Sequence, residues 1–218
     1  KQPFVHTPVK AGECSSCHNP HASSYGKMLA AAANKICFTC HTNIVPKQAR
    51  SIHKVVAEGN CIKCHDPHAA KNKFNLTSAG NELCFSCHTG LAETVKKVKF
   101  KHSPVEKGCL NCHSPHASGK SVALLREDVP ALCLKCHKAG TPTFQKQHLN
   151  YPVAKARCTS CHDPHGSDKA GMLYVTVHRP VAGNFHKRRL ELRTKYANRP
   201  EDPEAYPTPP PEKAAFVT

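Results

Sequence analysis

The sequence predicts a mostly irregular chain with short α-helices, built from repeats of about 48 residues and lacking a side-chain core of ordinary size. Three observations predict this. The chain has 218 residues but no Trp, 8 Phe and 5 Tyr, too few large apolar side chains to fill a conventional interior. All 14 cysteines fall in copies of C-x-x-C-H, with none left over. The first cysteines of alternate copies stand at 14, 61, 109 and 158, and those of the remaining copies at 37, 84 and 133, so each unit carries two copies.

The seven copies contain the cysteine pairs Cys14 and Cys17, Cys37 and Cys40, Cys61 and Cys64, Cys84 and Cys87, Cys109 and Cys112, Cys133 and Cys136, and Cys158 and Cys161. Their histidines are His18, His41, His65, His88, His113, His137 and His162. C-x-x-C-H is the attachment signature of c-type haem: the two thiols add across two vinyl groups and the histidine becomes an axial iron ligand. A zinc protein would gather Cys and His into four-ligand sites with no need of a histidine after every second cysteine. A disulfide scaffold suits the even count but explains neither the uniform spacing nor the histidine. The expectation is seven covalently bound haem c groups, about 31 residues of chain for each, stacked as the apolar mass that the side chains do not provide.

The two copies of a unit differ in their surroundings. The first kind continues into H-x-P-H, as in His18-Asn19-Pro20-His21, His65-Asp66-Pro67-His68, His113-Ser114-Pro115-His116 and His162-Asp163-Pro164-His165. An upstream histidine precedes each: His6, His53, His102 and His148. The second kind is preceded directly by an apolar residue, Ile36, Leu83 or Leu132, which predicts half-buried helices there.

Seven haems held by two histidines each need seven distal ligands, and ten histidines lie outside the motifs. Three residues span at most about 10 Å, too little for an H-x-P-H histidine to pass round a porphyrin edge to its own iron. His21, His68 and His116 are therefore expected on the second, fourth and sixth haems. The eight residues from His6 to Cys14 reach up to about 28 Å, so His6, His53, His102 and His148 are expected on the first, third, fifth and seventh. His165, His178 and His186 are then left over, with His165 a candidate extra or intersubunit ligand. Met28 and Met172 read as packing residues rather than iron ligands.

The doubled pattern, with H-x-P-H after its first member, resembles the multihaem cytochromes with paired C-x-x-C-H motifs over residues 6 to about 173. That family includes decahaem conduits of porin–cytochrome complexes and small periplasmic electron carriers. A weaker, architectural likeness is to extracellular cytochromes that form filaments. The resemblance implies a row of closely packed bis-histidine haems that conducts electrons. The expected partners are redox proteins or an extracellular acceptor, with self-assembly; the rival is a monomeric periplasmic shuttle. A multihaem reductase would need an iron with an open position, and the histidine supply closes every one, so no catalytic residue is expected.

The formal charge of +16 suggests nucleic acid at first sight, but no nucleic-acid motif accompanies it. Haem propionates offer a simpler counter-charge: seven ferric bis-histidine haems bring about −7. No run approaches the roughly 20 apolar residues of a membrane helix, so no membrane insertion is expected. Haem attachment of this kind implies a periplasmic or extracellular protein whose signal peptide has been removed. The fourth unit reads as truncated. Gly171-Met172-Leu173 echoes Gly26-Lys27-Met28-Leu29, but no eighth motif follows. The expected division is a haem-bearing body, 1–177, and a basic tail, 178–218, holding 7 of the 18 prolines and a short helix over 187–197.

Overall fold

The computed structural model describes residues 1–149, 153 and 157–174. Regular structure is sparse, as the composition demands. The strands are β1 (Phe4–Val5), β2 (Ser51–Ile52), β3 (Ala69–Ala70), β4 (Phe100–Lys101), β5 (Ala117–Ser118) and β6 (Gly166–Ser167). They pair antiparallel as β1 with β3, β2 with β5 and β4 with β6. In every pair, a strand just before an upstream histidine meets the strand just after the H-x-P-H histidine of the next unit. The ladder runs on into the histidines: the amides of His6 and His53 donate to the carbonyls of His68 and His116 at 2.9 Å, and His102 to His165 at 3.4 Å. Two compact units divide the described residues, one of 1–97 with 103–128, the other of 98–102 with those from 129 onward. The expected body–tail boundary and the tail helix lie outside the described residues.

The connectors between upstream histidine and first cysteine are wound up. Helices α1 (Thr7–Ala11), α2 (Lys54–Ala57) and α5 (Ser103–Lys107) begin directly after His6, His53 and His102. His6 and His53 are extended at ψ 136° and 131°, and the chain turns helical at the next residue. Pro8 suits the first turn of α1, and Gly12, at φ 76°, ends it in the left-handed conformation. Gly59 ends the second connector at φ 71°, where an added Cβ would lie 2.0 Å from the carbonyl oxygen of Asn34. A helical residue advances about 1.5 Å, less than half the extended step. The reach available from the upstream histidine is therefore far below its extended limit.

Helices carry the second-kind motifs, as the preceding apolar residues predict. Cys84 sits in α3 (Gly80–Phe85), Cys133 in α6 (Ala131–Leu134) and Cys37 in the tighter 3-10 turn Ile36–Thr39. Ile36, Leu83 and Leu132 are half-buried. Helix α4 (Thr89–Lys97) follows the 84–88 motif, and α7 (Pro142–Gln147) is capped by the Thr141 hydroxyl, which accepts from the Phe144 amide.

Polypeptide alone builds almost no interior. Among the described residues the buried apolar side chains are Ala70, Val95 and Ala117. Ile62, Phe74 and Leu149 remain 64%, 71% and 74% exposed. Side chains of that size left on the surface of a chain without a core mark surface that something else covers.

Candidate haem sites

All seven motifs adopt one local geometry. The histidine amide donates to the first cysteine's carbonyl at 2.9–3.0 Å, and the second cysteine's amide donates to the same carbonyl at 3.1–3.3 Å. One helical turn of this kind sets residues i, i+3 and i+4 on a common face. Both thiols and the imidazole are thus presented together, as a doubly tethered, axially ligated porphyrin requires. None of the 14 cysteines is paired in a disulfide.

A fold-back orients the histidine of each first-kind motif. Nδ1 of His18, His65, His113 and His162 bonds the carbonyls of Lys27, Phe74, Ala123 and Gly171 at 2.9, 2.8, 2.9 and 2.6 Å. With Nδ1 donating to a carbonyl, Nε2 is left unprotonated and free to bind a metal. The carbonyl of the next residue, Met28, Asn75, Leu124 or Met172, accepts from the amide after the histidine at 2.7–2.8 Å. Aiming two successive carbonyls this way takes two left-handed residues: Lys27 and Met28 at φ 63° and 56°, Phe74 and Asn75 at 61° and 54°, Ala123 and Leu124 at 53° and 58°. Each costs a non-glycine residue about 1–2 kcal/mol, a strain that persists where its surroundings hold it. Gly171 and Met172 repeat the turn, so the echo in the fourth unit is structural.

This turn was missed by sequence reasoning. The signal available was Leu29, Leu76, Leu125 and Leu173, which recur at the repeat length and each bridge to the motif histidine. Met28 and Met172 share one backbone position with Asn75 and Leu124, which ties it to no sulfur chemistry. Met28 is 41% exposed on the polypeptide alone.

The histidine rings face one another in a pattern that corrects the expected alternation. His6 faces His41, His18 faces His68, His53 faces His88, His65 faces His116 and His102 faces His137, with ring centres 6.0–6.1 Å apart and planes within 10–29°. The upstream histidine thus meets the second motif of its own unit rather than the first. Its connector is helical and cannot wrap around the nearer site. The H-x-P-H histidine meets the first motif of the preceding unit, because the strand pairs carry it back there. That it avoids its own motif agrees with the short three-residue link. His148 faces His162 at 6.0 Å, tilted by 55°. His21 does not meet His41. It is exposed, and among the described residues its ring has no hydrogen bond and no ring partner. His165 is set beside His102 by the β4–β6 ladder, and its own amide donates to Asp163 at 3.0 Å. His178 and His186 lie outside the described residues.

The spacing is that of two imidazoles across one metal ion. A metal–imidazole bond of about 2 Å, plus about 1.1 Å from nitrogen to ring centre on each side, puts trans rings about 6.2 Å apart. Further hydrogen bonds steady the upstream rings: Nδ1 of His6 and His102 bonds the carbonyls of Pro67 and Pro164, each at 2.9 Å. Burial, then the facing His88, pushes His53 below its usual pKa, and burial, then His65 and His53, does the same to His116. Both shifts favour the neutral imidazole, the form that binds metal. These residues fit c-type haem.

Neighbouring sites are also in contact. The paired backbones of His6 and His68 link the sites at 14–18 and 37–41, and those of His53 and His116 link 61–65 and 84–88. Thiols bridge between units: Cys37 is raised to about 11 by burial and then by Cys61, and Cys109 to about 11 by burial and then by Cys84. Cys158 is lowered to about 6, first by a hydrogen bond from Cys133.

Two features of the H-x-P-H segment are testable. The Asp66 carboxylate accepts from the amides of His68 and Ala69 at 2.8 and 3.2 Å, which holds its carboxyl below the usual range. A depressed carboxyl stabilises the fold above its unfolded pKa of about 3.9 and loses that contribution as pH falls through the lowered value. Asp66→Asn is expected to keep the turn, as Asn19 does in unit one, and to flatten this acid limb in melting curves against pH. Asp66→Ala is expected to lose about 0.5–1 kcal/mol near neutral pH. At Gly166, φ is 138° and an added Cβ would lie 2.7 Å from the Phe100 carbonyl oxygen. Gly166→Val is expected to open β4–β6, lower the melting temperature and perturb the optical spectrum of the site served by His102.

Repeated C-x-x-C-H turns, each offering two thiols and an imidazole to a porphyrin, define a multihaem c-type cytochrome, an electron-transfer protein. The chain belongs to the doubled CXXCH motif family, which matches residues 6–45, 53–93, 102–141 and 150–184. A comparison with curated proteins found no match. Among the described residues no helix is long and apolar enough to cross a membrane.

Proposed function

We propose that the chain holds seven haem c groups, one at each motif, each between two imidazoles, and that it conducts electrons along the row without catalysing a reaction on a substrate. The observation that carries this reading is the set of ring pairs at 6.0–6.1 Å. Distal ligation then falls to His68 for the motif at 14–18, His6 for 37–41, His116 for 61–65, His53 for 84–88, His102 for 133–137 and His148 for 158–162. The same rule makes His165 an ordinary distal ligand rather than a spare one. Bound haem supplies a ferric/ferrous couple, at the lower potentials of bis-histidine rather than His/Met ligation.

The chain's own residues do the rest. The paired imidazoles would hold the haems and leave them no open position for a substrate. Strand pairs keep successive sites adjacent. Because thioether attachment at C-x-x-C-H takes place outside the bacterial cytoplasm, we place the working protein in the periplasm or outside the cell. There it would exchange electrons with redox partner proteins or an extracellular acceptor, as a subunit of a larger assembly or filament. Intact mass spectrometry is expected to find the polypeptide plus seven haems and no free thiol, and paramagnetic resonance is expected to find low-spin iron only. A mass with fewer haems, or a high-spin share in the native protein, would overturn this reading.

A further inference from the structure

The residue between the two histidines of H-x-P-H differs in charge from unit to unit. It is Asn19, Asp66, Ser114 and Asp163 in turn. At three of these positions the side chain has the same backbone task. A side-chain oxygen of Asn19, Asp66 and Asp163 accepts from the amide of His21, His68 and His165, at 3.2, 2.8 and 3.0 Å. The neutral amide of Asn19 does this as the two carboxylates do, so the turn does not require a charge at residues 66 and 163.

The charge has a second neighbour. The same oxygen lies 3.9 Å from Nδ1 of His68 at Asp66, and 3.7 Å from Nδ1 of His165 at Asp163. Both histidines offer Nε2 to iron in the reading above, which leaves the ring proton on Nδ1. A carboxylate fixed behind that ring adds to the electron donation of the ligand, as outer carboxylates do in metal sites. It therefore stabilises ferric iron, with its extra positive charge, over ferrous. His116 receives no such charge from its own segment, because Ser114 stands there. The side chains of His165 and Asp163 are 26% and 16% exposed, against 62% and 46% for His68 and Asp66, so water and salt screen the Asp163 pair less.

We propose that Asp66 and Asp163 set haem potentials: each lowers the reduction potential of the haem served by the histidine of its own H-x-P-H segment. Asp66 acts through His68 on the haem at 14–18, whereas the haem at 61–65, served by His116, has no such carboxylate. First-kind haems that share one motif and one turn are thereby made unequal as electron acceptors. No bond forms or breaks, and the couple remains ferric to ferrous by one electron. The inference rests on the bis-histidine reading above.

The test is a potentiometric titration of the full-length, haem-loaded protein at neutral pH, followed by optical and paramagnetic resonance spectra. Asp66→Asn is expected to keep seven low-spin haems and to raise the reduced-to-oxidised ratio of one of them roughly three- to tenfold at a fixed solution potential. Tenfold corresponds to about 59 mV for one electron. The shift should vanish when Cys14 and Cys17 are also changed to Ser, which removes the 14–18 haem. Asp163→Asn should shift one haem by more, and Ser114→Asp should shift the 61–65 haem in the opposite direction. An Asp66→Asn shift that survives loss of the 14–18 haem overturns the proposal, since the carboxylate then acts on its sequence neighbour His65 or elsewhere. An unchanged titration overturns it too, as does Ser114→Asp without a downward shift. Loss of a haem or high-spin iron in Asp66→Asn would make the residue structural and sink the proposal alone. Wild-type protein with too few haems or high-spin iron overturns both this and the bis-histidine reading.

Discussion

Replacing His68 with Ala is expected to make one haem high-spin, the one at residues 14–18, and to leave those at 61–65 and 84–88 low-spin. The His68 ring lies 6.1 Å from His18 and within 10° of its plane, whereas its own motif's His65 faces His116. Losing the imidazole removes the sixth ligand from a single iron, so the spectroscopic change is all-or-none at that site. The altered haem is located by also changing Cys14 and Cys17 to Ser, which removes the 14–18 haem. The high-spin signal should vanish with it. A signal that survives that deletion, or none to begin with, would refute the pairing rule. His6→Ala is the companion, and its change should fall at 37–41 instead.

The chain without haem is expected to show no cooperative thermal transition, where the loaded protein melts in a defined step. Ordering each residue costs about 1–2 kcal/mol of backbone entropy. Against that the described polypeptide buries Ala70, Val95 and Ala117, of which only Val95 is larger than a methyl side chain. Two-residue strand pairs and helices of four to nine residues are not stable by themselves. Protein made without haem attachment, or carrying Cys→Ser at all seven motifs, should give a disordered circular dichroism spectrum and rapid proteolysis. A sharp sigmoidal melt of such material would show a polypeptide core that these contacts do not contain.

Much of this was legible in the sequence. The motif spacing, the repeat length and the poverty of large apolar residues led to an irregular, repeated, cofactor-centred chain. Apolar residues before the second-kind motifs located their helices. The histidine pairing was not legible, for two physical reasons. An extended-chain reach is only an upper bound, and the connectors after His6, His53 and His102 are helical. The strand pairs that carry His68 and His116 back one unit are two residues long, too short to leave an alternation in the sequence. The left-handed turn was hidden because Lys27, Phe74 and Ala123 hold a conformation that glycine usually announces, as it does at Gly171.

The backward step from His68 to His18 also sets an order of completion. A chain delivered N-terminus first to the compartment where haem is attached presents His18 before His68, which lies 50 residues beyond it. His41, by contrast, finds its partner His6 already released. Second-kind sites can therefore close as they appear, while first-kind sites wait for the unit behind them. Until then the newest first-kind site would lack its second imidazole and stand open to a stray ligand.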